Sequence, residues 1–349
     1  MIKKNNTPTL HLPAEWEPQS GVMLTWPHRN TDWKPYLDEA IRCFTNIAQA
    51  IIRKEKLLIV CASINDVKAA LGNIDLSRII FREIPSDDTW ARDHGPIAIR
   101  LNNTPYIYDF AFNGWGLKFP AERDNQITRK LYDSHAFSPR VGYQDMLHVV
   151  LEGGSIESDG TGTLLTTSRC LLSKNRNEYT SKEEIAAYLQ VIFGLKRILW
   201  LDKGYLAGDD TDGHIDTLAR FCNPQTIAYV QCTDESDEHF KALSQMEREL
   251  QKFKTPANKS YRLIPLPMAD PVYEDGERLP ATYANFLIIN GAILMPVYNS
   301  PLDEIACSQL QQAFPNREII SINCLPLIKQ HGSLHCVTMQ LPEGFWGGS

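Results

Sequence analysis

Apolar positions along the chain recur with two different spacings, which predict alternating helices and strands. Recurrence every three to four residues places apolar side chains on one helix face and predicts four helices. These helices cover residues 36–54, 181–193, 236–253 and 302–314. Thr180 and Ser181, followed by two glutamates, are typical of a capped helix start in the second of them.

Short runs rich in β-branched residues lie between these segments and predict strands, each bounded by Gly, Asn, Asp or Pro. The runs are 56–61, 78–84, 97–101, 164–167, 197–201, 226–231, 286–289, 292–296 and 318–322. Polar turns at 101–104, 158–161 and 290–291 predict hairpins. Strands outnumber helices by two or three to one, whereas a doubly wound parallel sheet would give about one to one. The pattern therefore predicts an α/β fold of another kind.

A loose repeat places a polar or reactive residue just before or on five of the strand-like runs. The residues are Asp93, Glu152, His214, Asn285 and Cys336, at steps of 59, 62, 71 and 51 residues. Such intervals indicate five units of about 60 residues, and a ring of units would bring distant segments to one axis. Because no low-complexity linker divides the chain, we expect one closed domain over residues 1–349.

Composition and charge narrow the function. Of 349 residues, 43% are hydrophobic and 22% charged, as in an ordinary globular protein. The net charge of −7 argues against a nucleic-acid partner, which would require a basic patch. The apolar runs at 57–62 and 286–297 are far shorter than the roughly 20 residues of a membrane span, and no exported leader is recognisable. Eight isolated cysteines without a C-x-x-C pair indicate a reduced, cytoplasmic protein.

Cys336 follows a glycine turn and precedes a strand-like run near the C-terminus. One cysteine among eight is most often a packing residue, but a thiol at the start of a strand can project into a cleft. His335 looks like its base, yet neighbours on a strand point to opposite faces. A base must therefore come from another segment.

The acidic segment 209–216 is the obvious source of that base. An EF-hand calcium loop is excluded because Gly and Ala would occupy the first and last ligand positions. A solvent-exposed acidic turn without a catalytic role is an alternative that the sequence does not exclude. If Gly213 opens a strand, His214 and Asp216 share one face. That face would offer an imidazole for proton transfer and a carboxylate for a cation.

Two further segments carry candidate side chains. Trp90 and Asp93 combine an aromatic face with a carboxylate, which suits a flat cation, although acidic turns before Gly-Pro are common. Glu152 precedes two glycines and is either a turn residue or a carboxylate that orients a histidine.

Taken in order, these motifs resemble the agmatine deiminase family, also described as the bacterial-type peptidyl-arginine deiminase family, within the guanidine-modifying penteins. The likeness covers segments 15–19, 25–27, 90–93, 112–116, 151–155, 171–177, 213–216, 283–286 and 335–338. It implies a five-bladed α/β propeller, which agrees with the five similar intervals. The chain departs from the family pattern at 331–334 and at Leu117 and Lys118. Because of these departures, the resemblance does not determine which group the substrate carries beyond its guanidinium.

The resemblance implies catalytic roles at five positions. Cys336 is the expected nucleophile, His214 the expected general acid/base, and Glu152 is expected to be oriented towards His214. Asp93 and Asp216 are the carboxylates expected to hold a guanidinium group. The positions expected to line the approach and the walls of the substrate site are Trp90, Asp210, Trp115 and Asn285.

The expected reaction is hydrolysis of agmatine to N-carbamoylputrescine and ammonia, a step towards putrescine, through a covalent amidino-cysteine. The scheme needs no metal and no organic cofactor. Deimination of peptidyl-arginine or another guanidine is the nearest alternative. A non-catalytic binder of cations and a cysteine peptidase are alternatives of other classes. The oligomeric state stays open and includes a homodimer or a higher homo-oligomer.

Overall fold

The computed structural model describes residues 9–346, and strands and helices alternate along that length. The strands are β1 (Leu10–His11), β2 (Gln19–Thr25), β3 (Lys56–Cys61), β4 (Ile79–Glu83), β5 (Ile97–Leu101), β6 (Thr104–Ala111), β7 (Gly142–Val150), β8 (Ile156–Ser158), β9 (Thr163–Thr167), β10 (Arg197–Leu201), β11 (Ala219–Asn223), β12 (Thr226–Gln231), β13 (Arg262–Pro267), β14 (Tyr273–Glu274), β15 (Glu277–Arg278), β16 (Leu287–Ile289), β17 (Ala292–Val297), β18 (Glu318–Asn323) and β19 (Thr338–Pro342). The helices are α1 (Leu37–Ile52), α2 (Ile64–Leu71), α3 (Ala91–His94), α4 (Gly114–Leu117), α5 (Ile127–Asp133), α6 (Ser168–Leu171), α7 (Lys182–Phe193), α8 (Phe240–Lys252), α9 (Leu302–Ala313) and α10 (Leu325–Ile328). Of the helices in this part of the chain, none has the length and apolar character that crossing a membrane would require.

One topology occurs five times among the described strands. A first strand pairs antiparallel with a second, which pairs parallel with a third after a helical crossover. The five sets are β5-β6-β7, β8-β9-β10, β11-β12-β13, β16-β17-β18 and β19-β2-β3. A parallel neighbour requires such a crossover because the chain must return to the same end of the sheet. The repeat of about 60 residues therefore corresponds to one strand–strand–helix–strand unit.

The last strand of the chain completes the sheet that contains its first long strand. β19 pairs antiparallel with β2, with Met339 opposite Met23. β3 lies beside β2, and its residues 57–60 are fully buried. Such a continuous apolar run is expected of a strand that is covered on both faces. Alternate residues of β3 enter two different apolar clusters, one of which includes the buried face of α1.

The predicted helices and strands are confirmed, with bounds that differ by no more than four residues. The largest difference is at α8, which begins at Phe240 because the Asp237 carboxylate binds the backbone N–H of His239 and holds a turn there. The predicted hairpin at 101–104 is confirmed, since Asn102 and Asn103 take the positive φ values that its tight turn requires. β7 was not predicted, because its apolar and polar residues do not alternate regularly between the two faces of the strand.

Candidate active site

Five chain-distant segments meet, each just before the first strand of a repeated unit. Asp93, Glu152, His214, Asn285 and Cys336 lie in the segments ahead of β5, β8, β11, β16 and β19. Hydrogen bonds and ion pairs join each segment to the next: Asp93 to Gly154, Glu152 to His214, Asp216 to Asn285, Asn285 to Cys336, and Cys336 to Arg92. The last contact returns to the first segment, so the five segments form a closed ring of contacts.

A cavity of about 480 Å³ opens beside this ring. Five of the nine sequence-predicted side chains line it: Trp90, Asp93, Trp115, Asp210 and Cys336. The other four lie behind its wall: Glu152, His214, Asp216 and Asn285. The structure thus brings the predicted residues together in two layers, one facing the cavity and one supporting it.

Cys336 lies in a turn two residues before β19, rather than on the strand itself. Its side chain is buried, and Sγ lies 3.3 Å from Oδ1 of Asn285. Burial raises the pKa of the Cys336 thiol well above its usual range, and the carboxylates of Asp216 and Asp93 raise it further. Without a bound cation, the sulfur is therefore a neutral thiol.

Asn285 does not line the cavity, contrary to the expectation that it shapes the substrate site. It is fully buried, and Oδ1 accepts hydrogen bonds from the backbone N–H groups of His335 (2.8 Å) and Cys336 (3.2 Å). Its Nδ2 donates to the carbonyl oxygen of Asp216 (3.3 Å). The amide is occupied by protein groups, so Asn285 holds the cysteine turn in place.

His214 lies in a turn, and the prediction that Gly213 opens a strand is wrong. Side chains from 209–211 bind the backbone here: Asp209 accepts from the N–H of Gly213 (2.8 Å), and Thr211 accepts from that of His214 (3.0 Å). Such local bonds compete with strand pairing. A short 3-10 turn, Ile215–Thr217, follows, and β11 begins only at Ala219.

The imidazole of His214 lies between two carboxylates. Nδ1 is 3.6 Å from Oδ1 of Asp93, and Nε2 is 3.9 Å from Oε2 of Glu152. Burial acts to lower the pKa of His214, but Asp93, the sulfur of Cys170 and Glu152 outweigh it and hold that pKa well above its usual value. The imidazole of His214 is therefore protonated at neutral pH.

Asp216 and His214 do not share a strand face, yet both approach the α carbon of Gly154. A Cβ added there would lie 2.5 Å from Nδ1 of His214, 2.9 Å from Oδ1 of Asp93 and 3.2 Å from Oδ2 of Asp216. Only glycine leaves space for these three side chains to converge. Among the described residues, Oδ1 of Asp216 has no hydrogen-bond partner although it is buried. This oxygen is free to accept from a ligand.

The carboxylates of Asp93 and Asp216 differ in pKa. Burial raises the pKa of Asp93 to about 6, against the opposing charge of His214. Burial also acts on Asp216, but the hydrogen bond from Nδ1 of His335 (2.8 Å) outweighs it and keeps the pKa of Asp216 below its usual value. Nε2 of His335 lies 2.7 Å from Glu15, so the ring bridges two carboxylates and positions Asp216.

Glu152 is held by Arg176, a residue of the motif 171–177 for which the sequence predicted no role. Nε of Arg176 lies 2.8 and 2.9 Å from the two carboxylate oxygens of Glu152. Burial acts to raise the pKa of Glu152, but His214 and Arg176 outweigh it and lower that pKa. Glu152 is therefore a permanent anion beside His214, as a carboxylate that orients an imidazole requires.

Trp115 lies on a segment with unusual backbone geometry. Gly114, Trp115, Gly116 and Leu117 all have positive φ, between 55° and 86°. Tryptophan and leucine seldom adopt this region, and such strain concentrates at functional sites. The turn aims Nε1 of Trp115 at Oδ2 of Asp93, to which it donates a hydrogen bond of 2.9 Å. Trp115 therefore both walls the cavity and orients Asp93.

Trp90 lies beside Trp115 in the lining of the cavity. Its Nε1 donates to Oδ2 of Asp88 (2.9 Å), and its ring lies against Gly332, where a Cβ would come within 2.1 Å of a ring carbon. The centroids of the Trp90 and Trp115 rings are 6.3 Å apart. The departure from the family pattern at 331–334 thus keeps the one glycine that this indole requires.

Asp210 also lines the cavity. Burial raises the pKa of Asp210 to about 6, while His331 and Lys118 act against the increase. The cavity is lined as well by Asp32, Asp88 and His331. Besides Asp93, the lining therefore carries three carboxylates and one imidazole.

A network of buried ion pairs lies on the other side of the Cys336 turn, and sequence reasoning missed it. Nε of Arg220 is 2.7 Å from Glu157, and its Nη2 is 3.0 Å from Glu15. Arg92 directs its guanidinium to Glu15 and Gln340, away from the substrate cavity. A second cavity of about 630 Å³ borders this network, and none of the nine predicted side chains lines it.

Comparison with known proteins identifies the family of this chain. Residues 11–342 match the family described as Porphyromonas-type peptidyl-arginine deiminase. The chain belongs to that family. It is 33% identical over 357 residues to an agmatine deiminase of Ectopseudomonas mendocina, with 95% of each chain covered.

Two solved structures extend the likeness of this Porphyromonas-type deiminase chain. One, from Porphyromonas gingivalis and described provisionally as an arginine deiminase, has a TM-score of 0.94 and 53% identity, covering 97% of this chain and 100% of that one. The other is a cysteine-to-serine variant of C. jejuni agmatine deiminase with substrate bound. It has a TM-score of 0.91 and 37% identity, covering 99% of this chain and 100% of that one. The chain therefore has the mixed α/β fold of these deiminases.

Proposed function

We propose that the protein is an agmatine deiminase, which converts agmatine and water to N-carbamoylputrescine and ammonia in putrescine biosynthesis. The observation that carries the proposal is the layered site: Cys336 and Asp93 face an acidic cavity, and His214 and Asp216 lie directly behind them. The family, and the similarity to two agmatine deiminases, support the same reaction.

The guanidinium group binds between Asp93 and Asp216. Paired hydrogen bonds from its N–H groups to the two carboxylates fix the central carbon beside Sγ of Cys336. The indole rings of Trp90 and Trp115, which pack edge to face against each other, both line the cavity and contact the flat cation there. The positive charge cancels the two anions that raise the pKa of Cys336, so binding itself favours the thiolate.

In the first step the thiolate attacks the guanidinium carbon and a C–S bond forms. His214 gives a proton to one terminal nitrogen, the C–N bond breaks, and ammonia leaves. Glu152 keeps the imidazole in place through both steps. In the second step neutral His214 takes a proton from water, the resulting hydroxide attacks the amidino carbon, the C–S bond breaks, and the hydroxyl proton of the product passes to the departing sulfur, which restores the thiol. The ureido product leaves, and no metal or organic cofactor takes part.

The charges that line the cavity favour a substrate whose far end is an ammonium rather than a carboxylate. Among residues 9–346, no lysine or arginine lines the cavity, whereas Asp32 and Asp210 do. Arg92, the nearest candidate partner for a carboxylate, is engaged on the other side by Glu15 and Gln340. Agmatine ends in an ammonium group and arginine in an α-carboxylate, so the charge pattern favours agmatine.

Deimination of peptidyl-arginine is the second candidate, and the family description is the observation that favours it. The test is ammonia release from four substrates: agmatine, free arginine, arginine within a peptide and arginine at a peptide end. We expect the highest kcat/KM for agmatine by at least about a hundredfold, because an unpaired buried charge costs several kcal/mol. Faster release from either peptide would replace the first candidate by the second.

The Asp210→Asn variant tests whether Asp210 recognises the ammonium group of agmatine. A hydrogen bond to a charged partner is worth about 1.5–3 kcal/mol, so KM for agmatine should rise roughly 10- to 100-fold. Butylguanidine, which lacks the distal amine, is the matched control, and its KM should stay within threefold. An equal change for both substrates would remove Asp210 from recognition of the tail.

We also propose that the five repeated units are the blades of a five-bladed α/β propeller, in a single domain over residues 1–349. The closed ring of contacts between consecutive segments and the β19–β2 pairing support this arrangement. A single cooperative unfolding transition is expected for one domain. We place the enzyme in the cytoplasm, where its eight unpaired cysteines would stay reduced.

A further inference from the structure

Three side chains that can ligate a metal cluster on the side of His214 that faces away from Asp93. They are Glu152, Cys170 and His214, and one ligand atom of each lies within 4.8 Å of the other two. Cys170 belongs to α6, whose first turn is capped by the hydroxyl of Thr167. All three side chains are buried, and the proposed reaction gives Cys170 no role.

An unused nitrogen points into this cluster. Among the described residues, Nε2 of His214 has no hydrogen-bond partner, although its side chain is only 1% exposed. Its neighbours there are the carboxylate of Glu152, at 3.9 Å, and the thiol of Cys170. A buried donor or acceptor without a partner is uncommon and calls for a physical explanation.

The donor set fits Zn²⁺. Imidazole nitrogen, thiolate sulfur and carboxylate oxygen are its usual protein ligands, at roughly 2.0–2.3 Å from the ion. Ligand atoms of a tetrahedral site then lie roughly 3.3–3.8 Å from one another. The separation of 3.9 Å between His214 and Glu152 is close to that range, so small side-chain shifts would complete the geometry. A water molecule would take the fourth position.

The surrounding charges also suit a divalent cation. Ionised Glu152 and a Cys170 thiolate carry two negative charges, which balance those of Zn²⁺. Arg176 already binds Glu152 through Nε, and a carboxylate has about four lone-pair positions, so Arg176 can stay in place as an outer partner. Burial raises the pKa of Cys170, and the carboxylates beside His214 keep its imidazole protonated, so zinc displaces one proton from each of the two side chains when it binds.

We infer that Glu152, Cys170 and His214 form an inhibitory zinc site, which withdraws His214 from proton transfer. The inference goes beyond the proposed deimination, but the inhibition rests on the role of His214 in it. Because the cluster lies behind the cavity wall, zinc leaves the guanidinium site open. It should therefore lower kcat with little change in KM, whereas zinc bound at Cys336 would compete with agmatine.

Access to the cluster passes His214 itself. Thr211 and Thr217 line the substrate cavity and bind the backbone N–H and carbonyl of His214, so this residue is the wall between cavity and cluster. The imidazole must turn aside for an ion to pass. Enzyme and metal are therefore incubated together before each measurement.

The binding test uses Co²⁺ as a spectroscopic probe and does not depend on activity. The Cys336→Ser variant removes the nucleophile as a competing ligand, and we expect it to develop the near-ultraviolet band of a cobalt–thiolate bond. The band should disappear in the Cys336→Ser/Cys170→Ser double variant and persist in Cys336→Ser/Cys222→Ser, which removes another buried thiol. Absence of the band in the single variant, or its persistence without Cys170, would overturn the inference.

The inhibition test compares zinc titrations of the wild type and of Cys170→Ser. We expect the half-inhibitory zinc concentration to rise at least about 100-fold in the variant. Even the loss of a residue that only hydrogen-bonds to a metal ligand lowers metal affinity roughly 10- to 100-fold, and the loss of a ligand should lower it more. Each variant is compared with its own zinc-free rate, and Cys170→Ala replaces Cys170→Ser if the latter does not fold. Equal sensitivity of wild type and variant would overturn the inference. A wild type without deiminase activity would refute the proposed function, while the cobalt band would still report the site.

Discussion

The two sides of the Cys336 turn contain similar charged side chains but use them differently. On the network side, Glu15, Arg220 and Glu157 pair at 2.7–3.0 Å, and Glu15 also binds His335. On the cavity side, Asp93 keeps a pKa of about 6, and one oxygen of Asp216 has no partner among the described residues. Both sides are buried, so exposure does not explain the difference.

The contrast indicates that buried charges stabilise the fold on one side of the Cys336 turn and are available to a ligand on the other. Burying an ion costs several kcal/mol. On the network side, burial acts to raise the pKa of Glu15, but Arg220 and His335 outweigh it and hold that pKa well below its usual range. Burial still raises the pKa of Glu157 to about 7, so pairing with Arg220 offsets only part of the cost there. On the cavity side the carboxylates lack a closely paired cationic partner among the described residues, so the cost of burying them is offset only when a cation binds. The network therefore maintains the structure, and the cavity side stores binding energy for a cationic substrate.

The Cys336→Ser variant should show the largest effect on the cavity side. Removal of a covalent nucleophile should lower ammonia release on the order of 10⁴-fold, while agmatine still binds because the carboxylates stay in place. Initial rates and calorimetric titration measure the two quantities. Cys307→Ser, on the distant helix α9, is the control and should keep normal rates. A variant with more than a hundredth of normal activity would exclude Cys336 as the nucleophile.

Asp216→Asn should follow, with a loss of turnover of about 10²- to 10³-fold. The amide cannot stabilise the cationic group as the carboxylate does, and a single electrostatic contact to a reacting group is commonly worth this much. Steady-state kinetics with agmatine measure the change, and the exposed Asp145→Asn is the control. Activity within threefold of the wild type would remove the carboxylate clamp from the mechanism.

The acid limb of the pH profile should report Asp93. Its ionised form binds the guanidinium and predominates above pH 6, so kcat/KM should fall about tenfold per unit as the pH drops below 6. The kcat should decline less, because the bound cation keeps Asp93 ionised. Rates measured from pH 5 to 8 decide the matter, and a flat kcat/KM down to pH 5 contradicts the assignment.

Glu157→Gln should show the smallest effect on catalysis and a clear effect on stability. It weakens the charge-assisted bond to Arg220 within the network, which should lower the free energy of unfolding by about 1–3 kcal/mol. Urea denaturation measures the loss, with exposed Glu235→Gln as control. The kcat should stay within threefold of the wild type. A large fall in kcat at unchanged stability would contradict the assignment of a structural role to the network and of catalysis to the cavity side.

Local patterns in the sequence were sufficient for much of the secondary structure. β3, β5, β10 and β12 have the predicted bounds because a short apolar strand bounded by turn residues depends on its own few neighbours. The five similar intervals also reflected a real unit, since each candidate residue precedes the first strand of a repeat.

Tertiary structure alone decided how these residues act on one another. Local side-chain bonds turned the His214 segment away from the expected strand, and Asn285 proved to support the cysteine turn. Glu15 contacts His335 across 320 residues, and Arg176 reaches Glu152 from the crossover between β9 and β10. Hydrophobic periodicity describes neighbours along the chain. Which distant charges pair and which stay unpaired depends on packing between units, and that difference separates the scaffold of this protein from its candidate chemistry.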